Sequence, residues 1–71
     1  MSIEYEPIKI IDSNDPNDIF VGSSVNGNDR NKPFWRIKRI ININGIWYTQ
    51  FPDGIQDYSY VWDNRLSYTY K

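Results

Sequence analysis

Any chemistry in this chain must be done with carboxylates, cations and aromatic rings, because histidine and cysteine are both absent. Without His no side chain titrates near neutral pH unaided, and without Cys there is no thiolate nucleophile or zinc ligand. The nine Asp and Glu residues could in principle supply the paired carboxylates of a glycosidase. The acids fall in turn-like contexts, however, where Asp bonds to nearby backbone through its own side chain. The sequence therefore predicts a non-enzyme, with no catalytic residue and no cofactor. Asp12, Asn14, Asp15 and Asp18 in "DSNDPND" gather oxygen ligands of the type calcium takes. They lack the Gly turn and closing Glu of an EF-hand loop, so they read as a solvated turn cluster rather than a metal site.

Two further patterns could bind ligands. "RNKPFWRIKR", residues 30–39, holds five of the eight bases, whereas residues 1–29 hold six of the nine acids. Bases interleaved with Phe34 and Trp35 are the pattern of single-strand nucleic-acid binders. In a strand, alternation sends Arg36 and Lys38 to one side and Arg39 to the other, which breaks the patch. The sequence thus predicts no nucleic-acid partner, and the charge segregation reads as complementary neighbouring strands. Three Trp and six Tyr could form sugar-stacking platforms, so contact with a host-surface glycan stands as the alternative function. Several of them must nonetheless fill the core.

The elements that would position these groups are short and β-rich. At 71 residues there is room for one domain, spanning 1–71. No apolar run approaches the length of a membrane helix, so no membrane contact is expected. "MSIEYEPIKI" has no basic region before an apolar stretch, so no secretory signal is expected. A chain this small buries only about 60–65% of its unfolded surface. Twelve aromatics partly compensate, and association with another protein would compensate further.

Strands are predicted over residues 3–11 (interrupted by Pro7), 19–22, 34–43, 46–51 and 66–71, with a helical turn or irregular segment over 58–65. Turns are predicted at "DSNDPND" and "PDG", and a polar loop over 23–33. Asn44-Gly45 is the preferred type I′ hairpin turn, since both of its central positions need positive φ. This turn sets Ile43 opposite Ile46, Ile41 opposite Tyr48 and Arg39 opposite Gln50. Trp35, Ile37, Ile41, Ile43, Ile46 and Tyr48 then share a core face. The other face carries Phe34, Arg36, Lys38 and Ile40 with Trp47, Thr49 and Phe51. Aromatics flanked by cations have the composition of interface hot spots. Phe34, Arg36, Lys38, Ile40, Trp47 and Phe51 are therefore the predicted contact surface of a self-associated or partner-bound subunit. The competing reading covers that face with the N-terminal strand, Glu4 and Glu6 neutralising the cations. The expected fold is all-β, a small antiparallel sandwich or partial barrel of about five short strands.

"FVG", "WRIKRI", "DG" and "VWDNRLSYTY" occur in this order. In this the chain resembles small virion structural proteins of tailed bacteriophages with a Trp-x-Ile-x-basic-Ile element, then Trp-Asp-Asn-Arg-x-Ser-x-x-Tyr. The matching positions are Phe20, Val21, Gly22, Trp35, Ile37, Arg39, Ile40, Asp53, Gly54, Trp62, Asp63, Asn64, Arg65, Ser67 and Tyr70, spread over residues 18–70. The chain departs from that pattern in its polar 23–33 loop and in "NING". The resemblance implies a component of the tail, fibre or head surface, made in the bacterial cytoplasm and contacting other virion proteins or itself. It implies no catalytic residue. Trp62, Asp63, Asn64 and Arg65 are expected to form a structural clasp. Trp62 pins the chain to the sheet, Asp63 and Asn64 turn it, and Arg65 reaches a carboxylate or backbone carbonyls. The final Tyr-rich strand then closes the sheet.

Overall fold

A computed structural model describes residues 8–25 and 27–71. Four strands form one antiparallel sheet in chain order: β1 (Ile8–Asp15), β2 (Asp18–Ser24), β3 (Trp35–Ile43) and β4 (Ile46–Gln50). A 3-10 helix, Trp62–Ser67, follows. The chain is all-β and antiparallel, and among the described residues the sheet is single and open. Its second layer is the C-terminal segment, not another sheet. β3 and β4 are joined through Asn44 and Gly45, with φ of 55° and 85°. The pairs beyond them are Ile43–Ile46, Ile41–Tyr48 and Arg39–Gln50.

Register assigns the faces. Phe20, Gly22 and Ser24 of β2 lie opposite Arg39, Ile37 and Trp35 of β3, and opposite Asp12, Ile10 and Ile8 of β1. Successive side chains alternate across a strand, so these residues share one face, and the C-terminal segment covers it. Phe20, Trp35, Ile37 and Trp62 are the buried apolar core, with Ile10, Phe34, Tyr60, Tyr68 and Tyr70 packed against it. β4 does not extend as far as Trp35. Tyr60 takes its place there, exchanging two backbone hydrogen bonds with Trp35 at 2.9 and 3.0 Å. Farther on, Tyr70 bridges Pro52, and Phe51 and Lys71 exchange two bonds of 3.0 Å.

Several local expectations need correction. β1 continues through Asp12, Ser13, Asn14 and Asp15, leaving only Pro16 and Asn17 as the turn. A bulge between Asp12 and Asp15 absorbs the irregular residues. Asp12 and Asp15 each accept a bond from the backbone N–H two residues on, so the local bonding expected of a turn occurs within the strand at Asp12 and in the turn at Asp15. Of the strand expected over 3–11, residues 3–7 lie outside the described residues. Ser23 and Ser24 are buried in β2 rather than looped out, and the Ser24 hydroxyl donates to the Gly27 carbonyl at 2.6 Å. The helical turn falls at 62–67, not 58–65, so Leu66 is 76% exposed instead of starting a strand. The last residues form no strand; Thr69, Tyr70 and Lys71 pair only with Phe51, Pro52 and Asp53, around the Pro52–Tyr70 bridge. On the expected core face Trp35 and Ile37 are buried, whereas Ile43, Ile46 and Tyr48 are exposed. The cover lies over the Trp35 end of β3 and stops short of the hairpin end.

The Trp62 ring packs closely over Gly22. A Cβ at position 22 would lie 2.6 Å from Trp62 Cε3 and 2.8 Å from Cζ3. Glycine is thus required at position 22 for space. Gly22→Ala is expected to destabilise the fold by about 1–3 kcal/mol through overpacking, and Trp62→Ala by about 3–5 kcal/mol through the cavity it leaves. Urea unfolding of both variants checks this. A Trp62→Ala midpoint close to the parent's would show that the ring is not a core residue.

Candidate functional site

The four residues of the expected clasp are brought together around Trp62. Its ring packs 6.0 Å from that of Trp35, inclined at 46°. The Arg65 guanidinium lies 4.6 Å from the Trp62 ring centroid. Arg65 donates to Asp12 Oδ2 from Nη2 at 2.9 Å and from Nε at 3.2 Å, and to the Trp62 carbonyl at 3.2 Å. It thus ties the 3-10 helix both to itself and to β1. The Asp63 N–H donates to the Arg30 carbonyl and the Asn64 N–H to that of Val61. Both residues act through the backbone, with exposed side chains.

Tyrosine hydroxyls complete the fastening. Tyr68 accepts from the Val61 N–H at 2.9 Å, and Tyr70 donates to the Arg65 carbonyl at 2.8 Å. Burial pushes the Tyr70 hydroxyl's pKa well above its ordinary value, so it remains a neutral donor. Arg39 forms a second ion pair on this face, with Asp18 at 2.7 Å. Asp12 and Asp18, two of the oxygen ligands in the acidic run, are therefore occupied by arginines. Among the described residues no group of three His, Cys, Asp or Glu is placed to hold a metal ion.

The six residues of the expected contact surface do not stay together. Arg36, Lys38 and Phe51 line one pocket of about 180 Å³ on the face opposite the C-terminal segment, with Lys9, Val21, Ser23 and Gln56. Trp47 sits near the hairpin end, opposite Asn42 and 50% exposed. Ile40 lies between the two groups, opposite Thr49. Phe34 precedes β3 and packs against the core, so alternation within the strand does not govern it. The cover expected from Glu4 and Glu6 lies outside the described residues.

The part not anticipated is the hairpin end as a unit. Ile43, Ile46 and Tyr48 are exposed on one face and Trp47 on the other. β4 is the last strand of the sheet, and among the described residues no strand lies along the outer edge of Ile46–Gln50. The signal that could have marked it is charge. Residues 40–52, "IININGIWYTQFP", contain no Asp, Glu, Lys or Arg.

No family model, curated protein or solved structure matches this chain. The functional reading rests on its own geometry.

The Asp12–Arg65 pair makes stability depend on acid. The hydrogen bond from Arg65, and then the bond from the Asn14 N–H, hold the Asp12 carboxyl below its ordinary value of 3.8. A carboxyl depressed on folding contributes stability that is complete above the unfolded pKa and lost as pH falls through the folded one. The melting temperature is expected to fall as pH drops below about 4, and Asp12→Asn should flatten that part of the profile. An unchanged acid limb in Asp12→Asn would show that the pair contributes nothing.

Proposed function

We propose that this chain is a non-catalytic assembly subunit, a bacteriophage virion component, that joins a second copy of itself through the free edge of β4. The single observation that carries the reading is the hairpin end, with apolar side chains exposed on both faces and, between them, a strand edge unpaired among the described residues. Unpaired edges are templates for another strand, and proteins ordinarily blunt them with charge, proline or bulges. The opposite edge, β1, has such devices: a bulge between Asp12 and Asp15, and charged side chains at Lys9, Asp12 and Asp15. β4, "IWYTQ", has none of them.

Charge supports a second copy as the partner. In a two-fold antiparallel pairing residue i meets residue j and j meets i, so charges of one sign on the edge would be brought close to those of the copy. An edge without charge escapes that repulsion. The resemblance of residues 18–70 to virion structural proteins supports the same reading, because a particle component must repeat contacts between copies. The tail, fibre or head surface is the setting it suggests.

Trp47→Glu places a carboxylate on this edge, away from the core. Light scattering over a concentration series is expected to show dimer formation in the parent and its loss in Trp47→Glu, with circular dichroism unchanged. A parent that stays monomeric at every concentration would refute self-association through β4.

A further inference from the structure

The five cations carried by the strands and the 3-10 helix fall into two populations. Arg39 and Arg65, on the covered face, each hold a carboxylate at 2.7 and 2.9 Å. Lys9, Arg36 and Lys38 converge on the pocket of the opposite face, and no carboxylate of the described residues pairs with them. Register explains the convergence. Lys9 lies opposite Ser23, and Ser23 opposite Arg36, so the three form a row across β1, β2 and β3. Lys38 is two residues farther along β3, opposite Val21. By strand spacing and rise, Arg36 stands about 10 Å from Lys9 and about 7 Å from Lys38 at Cα.

The site is built, not merely a charged sheet face. Residues 51–58 fold beside it, so that Phe51 and Gln56 line the same pocket. The Arg36 guanidinium sits 5.3 Å from the Tyr58 ring centroid, which restricts it. Each lining group suits a different part of one ligand. Three cations with no counter-charge among the described residues repel one another, and a bound anion relieves that repulsion. The Arg36 fork matches a planar carboxylate, to which the two lysines add point charges. The Ser23 hydroxyl and Gln56 amide are neutral partners for hydroxyl groups. Phe51 offers an apolar wall to the C–H face of a ring. At about 180 Å³ the pocket is smaller than those that enclose drug-sized ligands, so it suits a single small unit.

We propose that this pocket binds one carboxylated sugar unit, a hexuronate or similar acidic monosaccharide. A nucleic-acid backbone fits less well, because a phosphate chain needs cations in a track. Beyond Lys38 this face continues with uncharged Ile40 and Asn42. The site is separate from the exposed hairpin end of the assembly edge. Arg36 and the Asn44 turn are eight residues apart, roughly 25 Å along the strand.

An NMR titration of the isotopically labelled protein tests this with three probes at matched ionic strength: sodium glucuronate, glucose and inorganic phosphate. Glucuronate is expected to produce saturable shifts at the amides of Lys9, Ser23, Arg36, Lys38 and Gln56. Glucose and phosphate should each bind at least about tenfold more weakly, the value of one charge-assisted hydrogen bond. Arg36→Gln should weaken glucuronate by a similar factor while leaving the thermal melt and self-association unchanged. Glu4→Gln with Glu6→Gln should leave the affinity where it was. Equal binding of glucose or phosphate, absence of saturable shifts, or shifts confined to the hairpin end would overturn the proposal. So would a marked gain in affinity on removing Glu4 and Glu6, which would show that those carboxylates occupy the pocket.

Discussion

The indole of Trp62 lies on the backbone of Gly22 with no room for a methyl group between them, and the rest of the structure depends on that contact. Among the described residues the core cluster joins four buried apolar side chains, and Trp62 is the one of these four that lies outside the strands. Removing it would open the covered face to water and detach the Arg65–Asp12 pair that it orients. The polar fastenings alone are a weak substitute, because a hydrogen bond contributes only about 1 kcal/mol net once exchange with water is counted. Burying a large ring supplies the driving force, and the hydrogen bonds select one placement for it.

Much of this was legible in the sequence, for reasons that can be named. Alternation in "WRIKRI" separated Arg39 from Arg36 and Lys38, and strand geometry enforces that separation directly. Trp62 and Arg65 read as an anchor and a tether because a large ring and a guanidinium near a chain end need partners. What was not legible is how far the tail reaches along the sheet. Alternation assigns Ile37 and Ile43 to the same face, yet the tail covers one and leaves the other exposed. Coverage is a property of tertiary placement, which no local pattern encodes. The serines at 23 and 24 were hidden for a related reason. Small polar residues can be buried when packing demands little volume, and Ser24 satisfies its hydroxyl with a loop carbonyl. β1 was obscured by Asp and Asn residues that ordinarily mark turns. Asp12 stands in a strand because Arg65, fifty-three positions away, needs it there.

The partial cover also organises the surface. Cations under the tail are neutralised within the molecule, whereas those on the opposite face surround an open pocket. Between the two lies an uncharged hairpin end that the tail never reaches. Such a division gives a very small chain two surfaces, which we propose serve a copy of itself and an anion. Both depend on the tail staying in place. Tyr60 replaces β4 beside Trp35, and residues 51–58 reach the pocket only because the chain on either side of them is fixed.

Native-state hydrogen exchange tests most directly whether tail and sheet are one cooperative unit. The Tyr60 and Lys71 amides donate across the pairings of the C-terminal segment, and the Lys38 amide lies in the β2–β3 pairing, opposite Val21. If Trp62 holds the tail as described, Tyr60 and Lys71 should exchange with the same opening free energy as Lys38 and share its dependence on denaturant. Exchange of Tyr60 and Lys71 through a separate, low-energy opening, while Lys38 remains protected, would contradict the account.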